Sequence, residues 1–275
     1  MDLPSELRLW AHLLYFRARQ GSPRRYPQQW ESYWRSVQAT GRGGEVLWDN
    51  VPERASAEDL QRFAVHLDSA LPLVDLGCGN GRQSRFLARH FARIIGVDVA
   101  PAAVALARRE AAAERLAIDY RVLDATRPDE ARALHAQLGD ANVYIRGVLH
   151  VIAAADRRRF AESLEILLGE RGTLYDIELR PGALVLFRSL PGDSSSGLPR
   201  LVHNVVRHGV RPHGFDLRQR RRYFPDDRWQ VLEQGSEVTI NTVPLDPGGE
   251  SLVPACYMIL RPQHPAHASI ERRAS

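Results

Sequence analysis

The stretch VDLGCGNGR, residues 74–82, places three glycines at alternate positions directly after an apolar run that contains one acid. A glycine-rich turn behind a strand lets a ligand approach the backbone closely. Turns of this kind hold NAD, ATP or S-adenosylmethionine, and the glycines alone do not separate the three. The spacing of the glycines and the segments around them have to do so.

Short apolar segments alternate with helical patterns from residue 71 onwards. We predict strands over residues 71–77, 93–100, 118–125, 142–149, 172–179, 229–238 and 254–261. Helices are predicted over 81–91, 101–116 and 129–138, with a further helix that is capped by Asp156 and ends at Leu168. This order predicts an α/β protein, a Rossmann-like, doubly wound, seven-stranded and mainly parallel sheet with a closing antiparallel strand. Ligands of such sheets bind at the carboxyl ends of the strands.

The spacing of the turn excludes two of the three ligand classes. The glycines read Gly77-x-Gly79-x-Gly81, and Arg82 stands where a dinucleotide fingerprint needs its third glycine. A phosphate-binding P-loop needs a lysine, and all 37 basic Lys+Arg residues of this chain are arginines. The remaining ligand carries an ammonium and a sulfonium, which acids suit better than a helix end that favours phosphate.

The turn, preceded by Asp75, resembles the first motif of the class I S-adenosylmethionine-dependent methyltransferases over residues 55–262. The resemblance implies S-adenosyl-L-methionine as cofactor, with its methionine moiety at the glycines. It also implies that Asp98, beside Val99, holds both ribose hydroxyls and that Asp124 binds the adenine amino group. Ala125 would line the adenine ring. The fourth predicted strand ends in RGVLH, which resembles the family's fourth motif.

Residues 1–54 differ from the rest of the chain, because they hold four of its five tryptophans. We predict that they form a helical cap over the active site, followed by the methyltransferase domain at 55–262 and a flexible tail at 263–275. The pattern that includes Trp30, Tyr33, Trp34, Trp48 and Asp49 is more loosely similar to small-molecule, thiopurine-type methyltransferases, where an N-terminal segment covers cofactor and substrate. The alternative is that these aromatic side chains simply pack helices on the sheet.

The composition of the chain limits the compartment and the partners that we expect for it. A hydrophobic share of 44% and a charged share of 25% are ordinary for a globular protein, and two cysteines imply no disulfide framework. The sequence shows no leader and no uninterrupted apolar span, so we expect a cytoplasmic protein with no membrane partner. A net charge of +4 is too small to indicate nucleic acid. The sequence leaves the oligomeric state open.

The end of the fourth strand argues against nucleic acid as the methyl acceptor. In this fold, base-nitrogen methylation uses an Asn/Asp-Pro-Pro-aromatic loop, cytosine C5 methylation uses Pro-Cys and ribose methylation typically uses lysine, and the chain has none of these. A small molecule or a peptide remains, with an O, N, S or C acceptor atom. His150 is the candidate base, or a non-catalytic histidine of the same loop. Arg146 either anchors a substrate carboxylate or pairs with an acid such as Asp176.

Further acceptor-pocket candidates are Trp34, Trp48, Tyr175 and Asp176. We predict that an insertion at residues 181–228 sets substrate specificity and includes a mobile loop at 191–197. The insertion contains three histidines that could suggest a metal site: His203, His208 and His213. Their five-residue spacing places them on no common face of a helix or strand, so we predict no metal. The basic run 218–224 is interpreted as a solvated charged face.

The sequence therefore predicts a methyltransferase that acts on a small molecule, in specialised metabolism. Two alternatives stay open. The protein either uses S-adenosylmethionine without methylating, by aminocarboxypropyl transfer or cyclisation, or binds the cofactor without catalysis.

Overall fold

One seven-stranded sheet organises the computed structural model, which describes residues 26–41, 43–49, 52–189, 199–210, 214–242 and 251–263. Its strands are β1 (Leu73–Leu76), β2 (Ile94–Asp98), β3 (Asp119–Val122), β4 (Asn142–Arg146), β5 (Leu174–Leu179), β6 (Trp229–Thr242) and β7 (Ser251–Pro262). The order across the sheet is β3-β2-β1-β4-β5-β7-β6. The first five strands in this order are parallel, and β7 runs antiparallel to both β5 and β6. The predicted fold class is confirmed.

The winding reverses between β1 and β4. The chain first builds outward from β1 to β2 and β3, and then returns to place β4 on the other side of β1. Loops that leave neighbouring strands here diverge to opposite faces of the sheet, which opens a crevice at their carboxyl ends. The glycine turn follows β1 and therefore lies at this crevice.

Helices cover both faces of the sheet. They are α1 (Tyr26–Ser36), α2 (Pro52–Phe63), α3 (Arg82–Leu87), α4 (Pro101–Ala113), α5 (Pro128–Leu138), α6 (Arg157–Leu168), α7 (Gly182–Ser189), α8 (Arg200–Arg207) and α9 (Leu217–Tyr223). Apolar side chains of α2, α3 and α4 pack on one face, and those of α5, α6 and α9 pack on the other. Among the described residues, no helix is both long and apolar enough to cross a bilayer.

Two local predictions need correction. The helix predicted over 81–91 ends at Leu87, and residues 88–91 continue only as hydrogen-bonded turns. Asp156 precedes α6 but does not cap it, because its backbone already has helical angles of φ −99° and ψ −14°. A capping side chain needs an extended backbone to reach the first free N–H groups. The Asp156 carboxylate instead lies 3.4 Å from Arg159.

The described part of the predicted insertion is helical. The pattern that the sequence loses after β5 corresponds to the short helices α7, α8 and α9. Apolar side chains of α7 and α8 pack with those of α1 around Val151. The predicted features at 191–197 and 264–275, and the N-terminal helical pattern before residue 26, lie outside the described residues.

Candidate active site

The three glycines of the turn all adopt positive φ, which side-chain-bearing residues rarely do: Gly77 at 79°, Gly79 at 54° and Gly81 at 72°. A Cβ on Gly79 would lie 2.6 Å from Cζ2 of Trp34, and one on Gly81 would lie 2.4 Å from the Tyr120 hydroxyl. The turn therefore needs glycine for two reasons, its left-handed backbone and the side chains packed against it.

Asp75, on β1, is hydrogen-bonded to the helix that follows the glycine turn. Its side chain is 3% exposed and accepts a 2.5 Å hydrogen bond from Ser84 Oγ at the start of α3. Burial raises the pKa of Asp75 to about 7. The structure thus gives this acid a partner in the protein, and its predicted contact with the cofactor stays a prediction.

Asp98 ends β2 beside the turn. One carboxylate oxygen accepts the Gly79 N–H at 3.0 Å, and the other accepts the Ala100 N–H at 2.9 Å. These two bonds fix the carboxylate and leave further lone pairs, since an ionised carboxylate has about four acceptor sites. Burial raises the pKa of Asp98 to about 6, against the opposing effect of the backbone donors.

Asp124 follows β3, the neighbour of β2 in the sheet. Its Oδ1 accepts from both the backbone and the hydroxyl of Thr126, at 2.9 and 2.7 Å, and its side chain is partly exposed. Ala125 is buried in the apolar cluster on the α5 side of the sheet, and Val99 is half-buried after Asp98. The predicted adenosine-binding residues therefore follow adjacent strand ends.

These residues fit S-adenosylmethionine. Asp98 retains acceptor sites for a diol, and the turn between β1 and α3 presents glycine backbone without Cβ atoms. The charge of the acids also suits a ligand with a cationic sulfur. No dinucleotide phosphate site is needed to explain the turn.

His150 lies after β4 in a short 3-10 turn, Leu149–Val151, and is 6% exposed. Its Nδ1 lies 2.6 Å from Oε2 of Glu178, at the carboxyl end of the adjacent strand β5. Glu178 also accepts the backbone N–H groups of residues 148, 149 and 150 at 2.9, 2.6 and 2.9 Å. One carboxylate therefore fixes both the loop and the imidazole.

Sequence reasoning missed Glu178, although the alternation of LYDIEL contained the signal. Residues two apart in a strand share a face, so Asp176 and Glu178 point the same way and Tyr175 points the other way. Burial favours a raised pKa for Glu178, but the hydrogen bond with His150 holds that pKa below the usual value. Burial, followed by the charge of Glu178, raises the pKa of Asp176 well above its usual value. The directions of the two pKa shifts therefore favour the negative charge on Glu178 over Asp176.

The structure brings Arg146 and Tyr175 together at a different acid. Arg146 Nη1 donates to Asp59 Oδ2 at 2.6 Å, and the Tyr175 hydroxyl donates to Asp59 Oδ1 at 2.7 Å. Tyr144 adds a third donor at 2.8 Å. The suggested pairing of Arg146 with Asp176 is therefore wrong, because Arg146 and Asp176 lie on opposite faces of the sheet.

Asp59 comes from α2, on the side of the sheet away from Glu178. It is 1% exposed, and Tyr175 is fully buried with its ring stacked on Tyr144. Arg146 and Tyr175 are thus occupied by the protein itself. Tyr175 points to the face of the sheet opposite Glu178, because residues in odd and even positions of a strand alternate between faces.

The cap segment, residues 26–41 and 43–49, lies against the turn. Trp34 contacts Gly79, and its ring meets that of Trp48 at 6.0 Å. Tyr26 was not among the predicted site residues. Burial, followed by the charges of Asp98 and Asp124, raises the pKa of its phenol, and Glu178 adds to this effect. Tyr26 therefore lies close enough to Asp98, Asp124 and Glu178 for their charges to act on its phenol.

The described histidines of the insertion have local roles. His208 Nδ1 is hydrogen-bonded to Ser32 Oγ at 2.8 Å, and its ring meets that of Tyr33 edge-on. His203 lies on α8, and residue 213 lies outside the described part. Within the described ranges, no three His, Cys, Asp or Glu side chains group to hold a metal.

The basic run 218–224 is only partly a solvated face. Arg220 is 5% exposed and donates to the Phe224 carbonyl at 3.0 Å and to Asp226 at 2.6 Å. The neighbouring Arg221 also reaches Asp226, at 2.8 Å, and Arg222 lies over the ring of Tyr223. At least Arg220 is therefore structural.

Comparison with known proteins gives one family. Residues 73–172 match the family model described as "Methyltransferase domain". The ubiquinone biosynthesis O-methyltransferase of Cereibacter sphaeroides strain KD131 is 35% identical over 187 residues, 66% of this chain and 71% of that protein. The protein with the same name from Bartonella tribocorum is 32% identical over 105 residues, 38% of this chain and 40% of that protein.

A solved structure extends the likeness to most of the chain. The crystal structure of an S-adenosylmethionine-dependent methyltransferase from Anabaena variabilis superposes with a TM-score of 0.76 at 36% sequence identity. It covers 86% of this chain and 95% of that protein. The family model spans the turn and the strand-end acids, and both the Cereibacter relative and this solved structure exceed 30% identity over most of their length. The chain therefore belongs to the S-adenosylmethionine-dependent methyltransferases and uses S-adenosylmethionine as its cofactor.

Proposed function

We propose that this enzyme transfers a methyl group from S-adenosylmethionine to a hydroxyl group of a small, largely apolar molecule, with His150 as general base. The observation that carries the proposal is the buried His150–Glu178 pair at the ends of β4 and β5. A hydroxyl must lose its proton as the new bond forms, whereas an amine or thiol acceptor has less need of a base. The imidazole–carboxylate pair supplies that function.

The ionised Glu178 sets the tautomer of His150. Its Oε2 accepts a hydrogen bond from Nδ1–H, which leaves Nε2 with a lone pair for the acceptor proton. When the acceptor loses its proton to Nε2, the negative Glu178 stabilises the positive imidazolium, as in catalytic triads. The three backbone bonds to Glu178 keep the carboxylate in place during this change.

The cofactor residues are assigned by the motif. We propose that the turn glycines receive the methionine moiety, Asp98 the ribose hydroxyls, Asp124 the adenine amino group, and Val99 and Ala125 the ring. When bound, S-adenosylmethionine supplies an electrophilic methyl group on a cationic sulfur. The protein then has to align the acceptor and exclude water.

The cap supports an apolar acceptor. Trp34 and Tyr33 of α1 pack into one apolar cluster with Val151 beside His150 and with side chains of α7 and α8. We propose that Trp34, Trp48 and Tyr26 cover the acceptor and keep water from the reaction. The relatives named as O-methyltransferases support a hydroxyl acceptor, and specialised metabolism is the setting that we propose. We propose a cytoplasmic location because Cys78 and Cys256 are both free thiols.

A panel of acceptors tests the proposal. The full chain is incubated with methyl-labelled S-adenosylmethionine and with matched phenols, amines, thiols and carboxylic acids, and products are identified by mass spectrometry. We expect labelled methyl ethers and one equivalent of S-adenosylhomocysteine. Methylthioadenosine would indicate transfer of the aminocarboxypropyl arm, and the absence of turnover would indicate a cofactor-binding protein without catalysis.

Substitution of the base sharpens this test. We expect H150Q to lower kcat on the best phenol about 100-fold, in line with the usual contribution of a general base. His135 provides the matched control, because its Nε2 lies 3.1 Å from Asp140 at the opposite edge of the sheet. H135Q should leave kcat unchanged. A kcat for H150Q within threefold of the wild type would refute the role of His150.

A further inference from the structure

A buried carboxylate of the cap segment lies beside the glycine turn, apart from the His150–Glu178 pair. Asp49 lies in the segment between α1 and α2 and is 2% exposed. Its two oxygens accept from Asn80 Nδ2 at 3.1 and 3.0 Å, and Oδ2 also accepts the Gly41 N–H at 2.7 Å. Asn80 lies between Gly79 and Gly81. A cap residue therefore holds a residue of the cofactor turn directly.

We propose that Asp49 is a positioning residue of the cofactor site. It docks the cap segment on the turn and fixes the side chain of Asn80, so that cofactor affinity depends on this docking. Neither Asp49 nor Asn80 needs to touch the cofactor for this effect.

A second chain of hydrogen bonds connects the cap segment to the backbone of Asn80. Its carbonyl accepts Arg85 Nη1 at 2.8 Å, and Arg85 Nη2 donates to Glu110 at 2.7 Å. The other oxygen of Glu110 accepts from the Thr40 hydroxyl at 2.7 Å. Thr40 adjoins Gly41, so both polar routes from Asn80 end at neighbouring residues of the cap segment.

A third contact is apolar. The Trp34 ring packs against Gly79 so closely that a Cβ there would lie 2.6 Å from it. Gly79 also donates its N–H to Asp98, the acid proposed for the ribose. A shift of the cap would thus be transmitted through Gly79 and Asn80 to the groups that receive the cofactor.

The burial of Asp49 makes its hydrogen bonds costly to lose. Arg82 Nε lies 3.5 Å from Oδ1 and has no hydrogen-bond partner among the described residues, so Asp49 also places a negative charge close to this guanidinium. Removal of the carboxylate would leave the Gly41 N–H and the Asn80 amide without their acceptor in a buried place, and the partly exposed Arg82 without its nearby anion. The turn would then relax away from its present shape.

The test measures binding of S-adenosylhomocysteine by calorimetry to the full-length chain. We expect D49A and N80A each to weaken binding about tenfold, because each loses hydrogen bonds that involve a charged group. The double variant should bind no more weakly than either single variant, since both act through one contact. In turnover, KM for S-adenosylmethionine should rise about as much as the dissociation constant, with kcat changed less than twofold.

Two controls separate positioning from general stability. D59N removes an equally buried carboxylate from α2 that makes no contact with the turn, and it should lower Tm without changing affinity for S-adenosylhomocysteine. The exchanged pair D49N with N80D restores a complementary amide and carboxylate and should recover most of the affinity. If D49A and N80A lower Tm but bind within twofold of the wild type, the proposal is overturned.

This outcome is distinct from failure of the proposed base. Affinity for S-adenosylhomocysteine reports on the turn and does not require an acceptor. The H150Q variant should bind S-adenosylhomocysteine normally whether or not His150 acts as base.

Discussion

Strand β5 carries two buried hydrogen-bond networks on its opposite faces, and they differ in what remains free. Tyr175 points to Asp59, whose carboxylate is surrounded by Arg146 and two tyrosine hydroxyls. Glu178 points to the other face and binds three loop amides and His150. The donors at Asp59 are a guanidinium and two phenols, none of which is a base at neutral pH, whereas the imidazole at Glu178 retains a second nitrogen that can accept a proton.

The difference separates a structural network from the one that we propose to be catalytic. A buried charge that is fully paired inside the protein mainly holds elements together, here α2 on β4 and β5. A buried carboxylate that orients an imidazole also prepares a proton acceptor. Burial alone does not distinguish the two acids, because Asp59 and Glu178 are both about 1% exposed.

The largest expected effect is on stability at the Asp59 network. D59A should lower the free energy of unfolding by about 3–5 kcal/mol, because Arg146 would remain charged and buried without its partner. Denaturant unfolding measures the loss. The double variant D59A with R146M should recover part of it, and its failure to do so would argue against an ion pair as the main cause.

The next effect is catalytic and concerns Glu178. E178Q should lower kcat by about tenfold to 100-fold, because an amide nitrogen facing the donors at His150 cannot orient the imidazole as a carboxylate does. KM for S-adenosylmethionine should change little. D140N, at the acid partner of His135, is the matched control. A similar loss of kcat in D140N would remove the contrast between the two His–acid pairs.

A third prediction uses pH to test Asp98. Its pKa is raised to about 6 by burial, so the carboxylate that would accept the ribose hydroxyls is protonated below that pH. Affinity for S-adenosylhomocysteine should therefore fall about tenfold for each pH unit below about 6. Calorimetric titrations at pH values about one unit apart, between about 4.5 and 8, measure the dissociation constant of S-adenosylhomocysteine. D98N should bind weakly and show no such slope.

The smallest expected effect is at Asp156, an acid outside the two buried hydrogen-bond networks. Asp156 makes no capping bond, and its exposed contact with Arg159 spans 3.4 Å. D156A should therefore change the free energy of unfolding by less than about 0.5 kcal/mol, as surface pairs usually contribute little. Thermal unfolding measures this. A loss of about 1 kcal/mol would restore the capping role that the sequence predicts.

The sequence predicted most of the fold because β1, β2, β4 and β5 are short, buried, mainly apolar runs and glycine or proline marks many of the turns between elements. It located the glycine turn and the acids after β2 and β3, since a parallel sheet gathers its strand ends at one edge. It also placed His150 at that edge. These features depend on local patterns and on one rule of connectivity.

Sequence reasoning fell short wherever partners come from distant segments. Arg146 and Tyr175 were candidates for the acceptor pocket, but Asp59 lies 87 and 116 residues away from them in the chain and binds both. The role of Asp49 at Asn80 spans 31 residues and also has no local pattern. Such contacts depend on which helix covers which face of the sheet.

The sequence by itself determined the cofactor turn, the order of the strands and the methyl-donor class, because these follow from glycine conformation, apolar periodicity and strand-end position. Only the tertiary structure decided which buried acid orients the histidine, which one fixes Arg146 and which one joins the cap to the turn. The physical reason is that a carboxylate in a dry interior is defined by the donors around it, and those donors come from segments that only folding brings together.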